Sequence, residues 1–562
     1  MLYLLFTKEE SHPYMRSLQD NPWPITALLS TVMVLTLLLT ACGNGGGTAI
    51  PTVQGTPRMA TKQVLTFPNV GIADSAALDP ALVTDSNTGL IVSMVYSGLV
   101  RLDANVQVIP DQATWDVSSD NRVYTFHLKP DLAFSDGTSL TAQTYVYSLT
   151  RALLPELQSN TAAEFEGVIV GANDVLKGKT HTLKGVKALD SQTLQITLTR
   201  PTPYFLQMLT TSVYLPVNKQ LIDLYGQADW VNHVVGNGAG TGPFMIESWQ
   251  HSVKMVLVPN PYYYGNKTRL TSVNMLFASD PAIAFKAYRA GRYDFAWNIT
   301  QADQLAARGS TGFVRIPQLE TDALFFNTHM PPFDNARVRQ AFASATDKAS
   351  LAHNVFQDSV FPATTIISRG MPGYQPNYTG IPYNQTLAKT LLQSVYSDVS
   401  TVPPITFAYP SSLVSGTEAV ALQQMWQNVL GITVTLRAVE PTAYADEQLK
   451  HQIQLGFTQC NPDFPDPHDC LALNLLSTAT NNSGQWSNAD FDSTIAQADH
   501  TSGKVRISLY NQAEQIAIQD VGWLPLDHLG LAAIIPPWLH GISVNGKGLY
   551  FGDWSDVYVL QH

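Results

Sequence analysis

The chain has 562 residues, 45% hydrophobic, 10% aromatic and 14% charged, a globular composition on a length that calls for two or more lobes. A formal net charge of -12 at pH 7 leaves no basic stripe to neutralise phosphates, which argues against a nucleic-acid partner. Low charge content and 23 Tyr suit a secreted protein with polar-aromatic surfaces.

The apolar run from Ile25 to Leu39 has the length of a signal-peptide core and is short for a stable membrane span. It leads into Leu39-Thr40-Ala41-Cys42 and then Gly43-Asn44-Gly45-Gly46-Gly47. Small residues before a cysteine admit a processing peptidase, and the cysteine can then take a lipid. This order predicts a bacterial lipoprotein leader over residues 1–42 with lipid on Cys42, placing the rest outside the cytoplasm on a membrane tether. Ahead of the run only Lys8 and Arg16 are basic, opposed by Glu9, Glu10 and Asp20, so Met15 is an alternative start to Met1. Residues 43–63, rich in Gly, Thr, Pro and Gln with no apolar period, read as a flexible tether.

From Val64 onward short alternating runs interleave with helical stretches. Tyr124-Thr125-Phe126-His127-Leu128 and Thr193-Leu194-Gln195-Ile196-Thr197-Leu198 alternate with period two and predict half-buried strands. Lys254-Met255-Val256-Leu257-Val258 predicts another, stopped by Pro259-Asn260-Pro261. Helices are predicted over 142–153, 281–290, 337–346, 418–430, 490–498 and 505–519. The mixed order fits α/β or α+β lobes rather than bundles or sandwiches.

Catalytic templates are missing: there is no His-Glu-x-x-His, no Gly-x-Ser-x-Gly and no phosphate-cradling Gly-x-x-x-x-Gly-Lys. Gly236-Asn237-Gly238-Ala239-Gly240-Thr241-Gly242 lacks the dinucleotide spacing and is followed by Pro243, so it reads as a tight turn into a strand at Phe244-Met245-Ile246. With Cys42 assigned to lipid, Cys460 and Cys470 remain. In an oxidising compartment the pair reads first as a disulfide; two free thiols or a metal site with Asp463, Asp466, His468 and Asp469 are the alternatives. The two-to-four-residue grouping of zinc ligands is absent from that set.

An ordered series of segments resembles the family 5 extracellular solute-binding proteins, the receptors of ABC importers for peptides, nickel complexes and some oligosaccharides. It begins with Leu78-Asp79-Pro80-Ala81 and Val95-Tyr96-Ser97-Gly98-Leu99-Val100. The most specific part runs from Trp115-Asp116-Val117-Ser118 through Phe134-Ser135-Asp136-Gly137-Thr138 to Val146-Tyr147-Ser148-Leu149-Thr150-Arg151. Ser135-Asp136-Gly137 supplies turn chemistry and Thr141 a helix cap, so this signature marks fold rather than a binding site. Thr144 departs from the Asp usual in the family near that helix start. The series continues with Gly240-Thr241-Gly242-Pro243-Phe244, Asn260-Pro261-Tyr262-Tyr263, Ala290-Gly291-Arg292-Tyr293-Asp294, Phe326-Asn327, Pro332-Phe333-Asp334 and Val338-Arg339-Gln340-Ala341. Arg506-Ile507-Ser508-Leu509-Tyr510 and Leu524-Pro525-Leu526 complete it.

The resemblance implies an α/β, two-lobed periplasmic-binding-protein-like fold with an extra subdomain inserted in lobe one. Lobe one would take residues 64–318, with the subdomain at about 82–205, and return over 525–562; lobe two would take 319–524. It implies a non-catalytic, cofactor-free, monomeric receptor that closes on an oligopeptide or dipeptide and delivers it to an ABC permease. In peptide-binding members an acidic residue after the equivalent of Cys460 pairs with the ligand ammonium, and by motif position that residue is Asp463. Phe457 stands where the family often has Trp. Trp486, Trp538 and Trp554 are further cleft candidates, with Trp426 read as core and Arg369 as a guess for a ligand carboxylate. An oligosaccharide or a metal chelate such as a nickel complex is the alternative cargo, and a secreted hydrolase or structural lipoprotein the alternative class. Whether the protein is periplasmic or at the cell surface depends on whether the host has an outer membrane.

Overall fold

The computed structural model describes residues 58–75 and 78–562; the leader, Cys42 and tether residues 43–57 lie outside the described residues. Among the described residues no helix is long and apolar enough to cross a membrane.

One four-stranded sheet has the order Val64–Val70, Ser272–Ala278, Lys254–Pro259, Phe244–Gln250, with the first pair parallel and the others antiparallel. Alternation puts Leu65, Phe67, Phe244, Ile246, Met255, Leu257, Val273 and Met275 into one buried core with Trp230. The C-terminal residues return to this core. Val559 exchanges hydrogen bonds with the Gln63 side chain, donating to Oε1 at 3.0 Å and accepting from Nε2 at 2.9 Å. Trp554 packs edge-on against Phe244.

A second, antiparallel sheet, Ala113–Val117, Val123–Leu128, Thr193–Thr197 and Val186–Ala188, carries helix Ala142–Ala152 through Tyr145 and Leu149. The helix start is closed by Thr144, whose hydroxyl accepts from the Thr141 N–H at 3.1 Å, so the departure from Asp leaves the cap intact. Before it, Gly137 adopts φ +87° and Asp136 Oδ1 accepts from the Thr138 N–H at 2.9 Å. Two resembling segments meet here. Arg151, on this helix, makes a bidentate pair with Asp79, both buried, and Asp79 also accepts from Ala81 N. The core of this unit continues past residue 205 through Met208, Leu209 and Val213 to Tyr214.

The glycine-rich run enters strand Phe244–Gln250 as a close contact rather than a phosphate loop. A Cβ on Gly240 would meet the Val95 carbonyl oxygen at 2.1 Å, and one on Gly238 the Asp136 Cγ at 2.2 Å.

The seven-stranded sheet is built around two long antiparallel strands, Phe313–Phe326 and Trp523–Ile534. At one end Phe313–Pro317 pairs with Gly530–Ile534, next to Ala296–Trp297, over a small core of Phe285, Ile299 and Ala532. At the other, Thr321–Phe325 pairs with Trp523–His528, and Leu455–Cys460, Ile405–Pro410 and Val434–Val439 continue the sheet. This end lies between two cores, one with Phe342 and Trp426, the other with Trp486 and Tyr510. The register slips between Pro317 and Thr321. The architecture is two-lobed α/β, and the slip separates the two paired stretches of the long strands.

Candidate functional site

Strand Leu455–Cys460 ends because Pro462, Pro465 and Pro467 cannot donate to a ladder. The chain becomes a loop and re-enters regular structure at helix Pro467–Leu475, where Asp466 caps by accepting from His468 N at 2.9 Å. Four restraints hold this loop. Arg506, from helix Gly503–Gln519, grips Asp466 with two bonds of 2.8 and 2.6 Å, both side chains being buried. Asp469 Oδ2 accepts from the Asp463 and Phe464 N–H groups at 2.9 and 3.2 Å. Lys547 Nζ donates to the Pro462 and Asp463 carbonyls at 3.0 and 3.2 Å. Cys460 and Cys470 come together with Cα atoms 5.3 Å apart, within the span a disulfide needs.

The Asp463 backbone is therefore fixed at both N–H and C=O. Its side chain is exposed, and among the described residues its carboxylate has no hydrogen-bond or ion-pair partner. It borders a cavity of about 710 Å³ that is also lined by Asn87, Glu164 and Thr211 and, at the strand slip, by Gln318. That volume is in the range that encloses small ligands.

Glu164 sits on the 3₁₀ turn Asn160–Phe165 and accepts from Thr211 Oγ1 through Oε2 at 2.9 Å. Burial, reinforced by Asp463 and Asp469, pushes its carboxyl up to about 8 against the lowering effect of the Thr211 bond. Asp469 is pushed up to about 7, by burial first and then by Asp463. Lys547, at the tip of hairpin Ser543–Asn545 and Gly548–Tyr550, borders the cavity with its side chain exposed. Burial pushes its ammonium down, opposed by Asp469, Asp463 and Glu164. Three carboxyls thus share one lysine, and the cavity is short of positive charge.

The other residues singled out in the sequence fall elsewhere. Trp426 is fully buried against Phe342 and Phe407. Trp486 is buried, edge-on to Phe491, with its indole donating to Asp520 at 2.7 Å. Trp554 is packed between Phe244 and Phe551, and Trp538 stacks on His562 beside a separate cavity. None of the four lines the cleft, where Trp297 is the one aromatic among the described lining residues. Arg369 is exposed, lies near Tyr374 and does not border the cleft. Phe457 packs on Phe407 in the lobe core.

Among the described residues no group of three His, Cys, Asp or Glu is placed to hold a metal ion. Asp466 is spent on Arg506, Asp469 on backbone N–H groups, and His468 on Tyr204, Tyr510 and Asp499. Glu164, Thr211 and Lys547 escape sequence reasoning. The Asn545-Gly546 turn chemistry before Lys547 marks a hairpin, but nothing local links its tip to a loop eighty residues earlier.

The fold is thus two-lobed α/β with a polar cleft beside the register slip of its two long strands. A profile of the bacterial extracellular solute-binding proteins, family 5 (middle region), matches residues 107–482, and the chain belongs to that family. Among its relatives, the probable deoxycholate-binding periplasmic protein YgiS of Escherichia coli is 30% identical over 90% of this chain and 95% of its own length. The oligopeptide-binding protein OppA of Bacillus subtilis is 27% identical over 94% and 98%. A solved structure of the periplasmic murein tripeptide-binding protein MppA, in its unliganded open form, superposes with a TM-score of 0.80 at 28% identity, over 90% of this chain and 99% of that one. A second MppA structure, from Escherichia coli, gives 0.70 at the same identity, over 90% and 100%.

Proposed function

We propose that this protein is the lipid-anchored receptor of an ABC importer, binding short peptides with a free amino terminus and passing them to a membrane permease. The observation that carries this reading is the Asp463 carboxylate, unpartnered at the wall of the cleft while its backbone is pinned by Asp469 and Lys547. An ammonium leaving water needs a carboxylate and further acceptors, and closure of the cleft strengthens that pairing. The hinge is the slip at 318–320; ligand touching both lobes favours the closed state by its differential affinity. Relatives named as oligopeptide- and murein-peptide-binding proteins support a peptide-like cargo. The polar lining, with one aromatic ring, offers little stacking surface for a sugar.

In this reading residues 64–318 and 525–562 form lobe one, 319–524 lobe two and about 82–205 the inserted subdomain. Cys42 carries the lipid, and a Cys460–Cys470 disulfide braces the loop that presents Asp463.

The test is thermal unfolding of the protein, refolded free of ligand, with a pool of two-to-five-residue peptides. Ligand at about a hundredfold over Kd adds about 2.7 kcal/mol to the native state and raises the transition visibly. A rise abolished by N-acetylating the pool is the expected result; no rise with any peptide contradicts the peptide assignment.

A further inference from the structure

We propose that the cleft contains a second cation subsite at Glu164, so that it selects peptides whose first residue is basic. The inference rests on the reading of Asp463 as partner of the peptide ammonium. The two carboxyls reach one cavity from different parts of the fold, Asp463 from the loop of lobe two and Glu164 from the subdomain. A first residue with a basic side chain presents two positive charges a few bonds apart, one for each wall.

Glu164 is oriented for this role. Thr211 Oγ1 holds Oε2, while Oε1 has no partner among the described residues. Beside it Tyr214 is 1% exposed, its ring stacked on Phe165 at 4.5 Å, and its hydroxyl has no hydrogen-bond partner. The Glu164 charge acts on that phenol, which burial first and Glu164 next push well above its ordinary range. The surrounding side chains therefore leave polar capacity unused next to a carboxyl held up to about 8. Lys547 is the one cation drawn to Glu164, Asp463 and Asp469 together, and its bonds run to backbone carbonyls rather than to any of the three. A second ligand cation meets this shortage of positive charge. It also drives a proton off Glu164 near neutral pH, because a nearby positive charge favours the ionised carboxyl.

The experiment is calorimetric titration of the ligand-free protein and its E164Q variant with Lys-Ala-Ala and with norleucine-Ala-Ala, of matched length, in phosphate and in Tris at pH 7.5. Glutamine keeps the shape and can still accept from Thr211. The expected result is at least about tenfold tighter binding of the lysine peptide by the wild type, as for a close charge pair. Wild type also releases more protons on binding it than E164Q does, and the preference disappears in E164Q. Equal affinities in the wild type, or a preference that survives in E164Q, overturn the subsite while leaving the peptide reading in place. Failure of both peptides to bind overturns the peptide reading, and the subsite with it.

Discussion

Tyr204 and His468 meet face to face: their rings stack at 4.1 Å, and the phenol oxygen lies 3.0 Å from His468 Nε2. Tyr204 belongs to the core under helix Ala142–Ala152 and His468 to the helix that follows the Asp463 loop, so the contact ties that core to the loop. Its polarity follows from the partners. Tyr510 donates its hydroxyl proton to Asp499 at 2.6 Å, which leaves its oxygen, 2.9 Å away, to accept from His468 Nδ1. With the proton on Nδ1, which also lies 3.2 Å from Asp499 Oδ1, Nε2 accepts from the Tyr204 hydroxyl.

Replacing Tyr204 by Phe keeps the stack and removes the donor, leaving a buried acceptor unpaired. The expected cost is about 1–3 kcal/mol. Denaturant unfolding with an unchanged slope and a lower midpoint checks it; a midpoint equal to wild type contradicts it.

Arg506 and Asp466 set the shape of the same loop. Removing the guanidinium in R506M leaves Asp466 buried without its countercharge, at a cost of about 3–5 kcal/mol. Joint replacement of both residues by apolar ones of similar volume is expected to recover most of that stability, since two desolvated charges are removed together. Equilibrium unfolding of the single and double variants decides, and a double variant as unstable as R506M contradicts the account.

Much of the fold was legible in sequence because its signals are local. Strand alternation at Val123–Leu128 and Lys254–Pro259, the Ser135-Asp136-Gly137 turn and the Gly240 approach all depend on a few neighbouring residues. The helix expected from Glu418 begins at Leu413, because the Ser412 hydroxyl caps it by accepting from Ser415 N at 3.1 Å and Gly416 is tolerated within it. Cleft membership was not legible. Trp486 and Trp554 sit in loop-like sequence yet are buried by residues far along the chain, while Glu164 has no local mark and acquires its role only where three parts of the fold converge.

A cluster of raised carboxyls gives stability an unusual pH dependence. Asp322 and Asp527 are cross-strand neighbours on the two long strands, and neither Asp527 oxygen has a partner. Burial pushes Asp322 up to about 6, Glu320 and Glu514 up to about 7, and Asp527 and Glu418 well above the ordinary carboxylate range, with Asp322 adding to both of the last two. A folded value above the unfolded one means that the native state keeps protons the unfolded chain gives up. That stability is complete below about pH 4 and is lost as pH rises through the folded values. His528, pushed down to about 3, and Lys348, pushed down to about 7, both by burial first, act in the opposite sense, His528 below about pH 6.5 and Lys348 above its folded value. The carboxyls outnumber them, so Tm is expected to be highest near about pH 5 and to fall toward about pH 8, with D527N flattening the decline. A Tm that rises across that interval contradicts the assignment.

Asp463 is the residue proposed to pair with a ligand ammonium. The direct measurement is calorimetric titration of wild type and D463N with a bound free-amine peptide and its N-acetyl form. D463N is expected to lose about 2–5 kcal/mol for the free amine, the cost of truncating one partner of a closely held charge pair. Acetylation should weaken wild type by a similar amount and have little further effect on D463N. Equal binding of the free amine by D463N and wild type would contradict it.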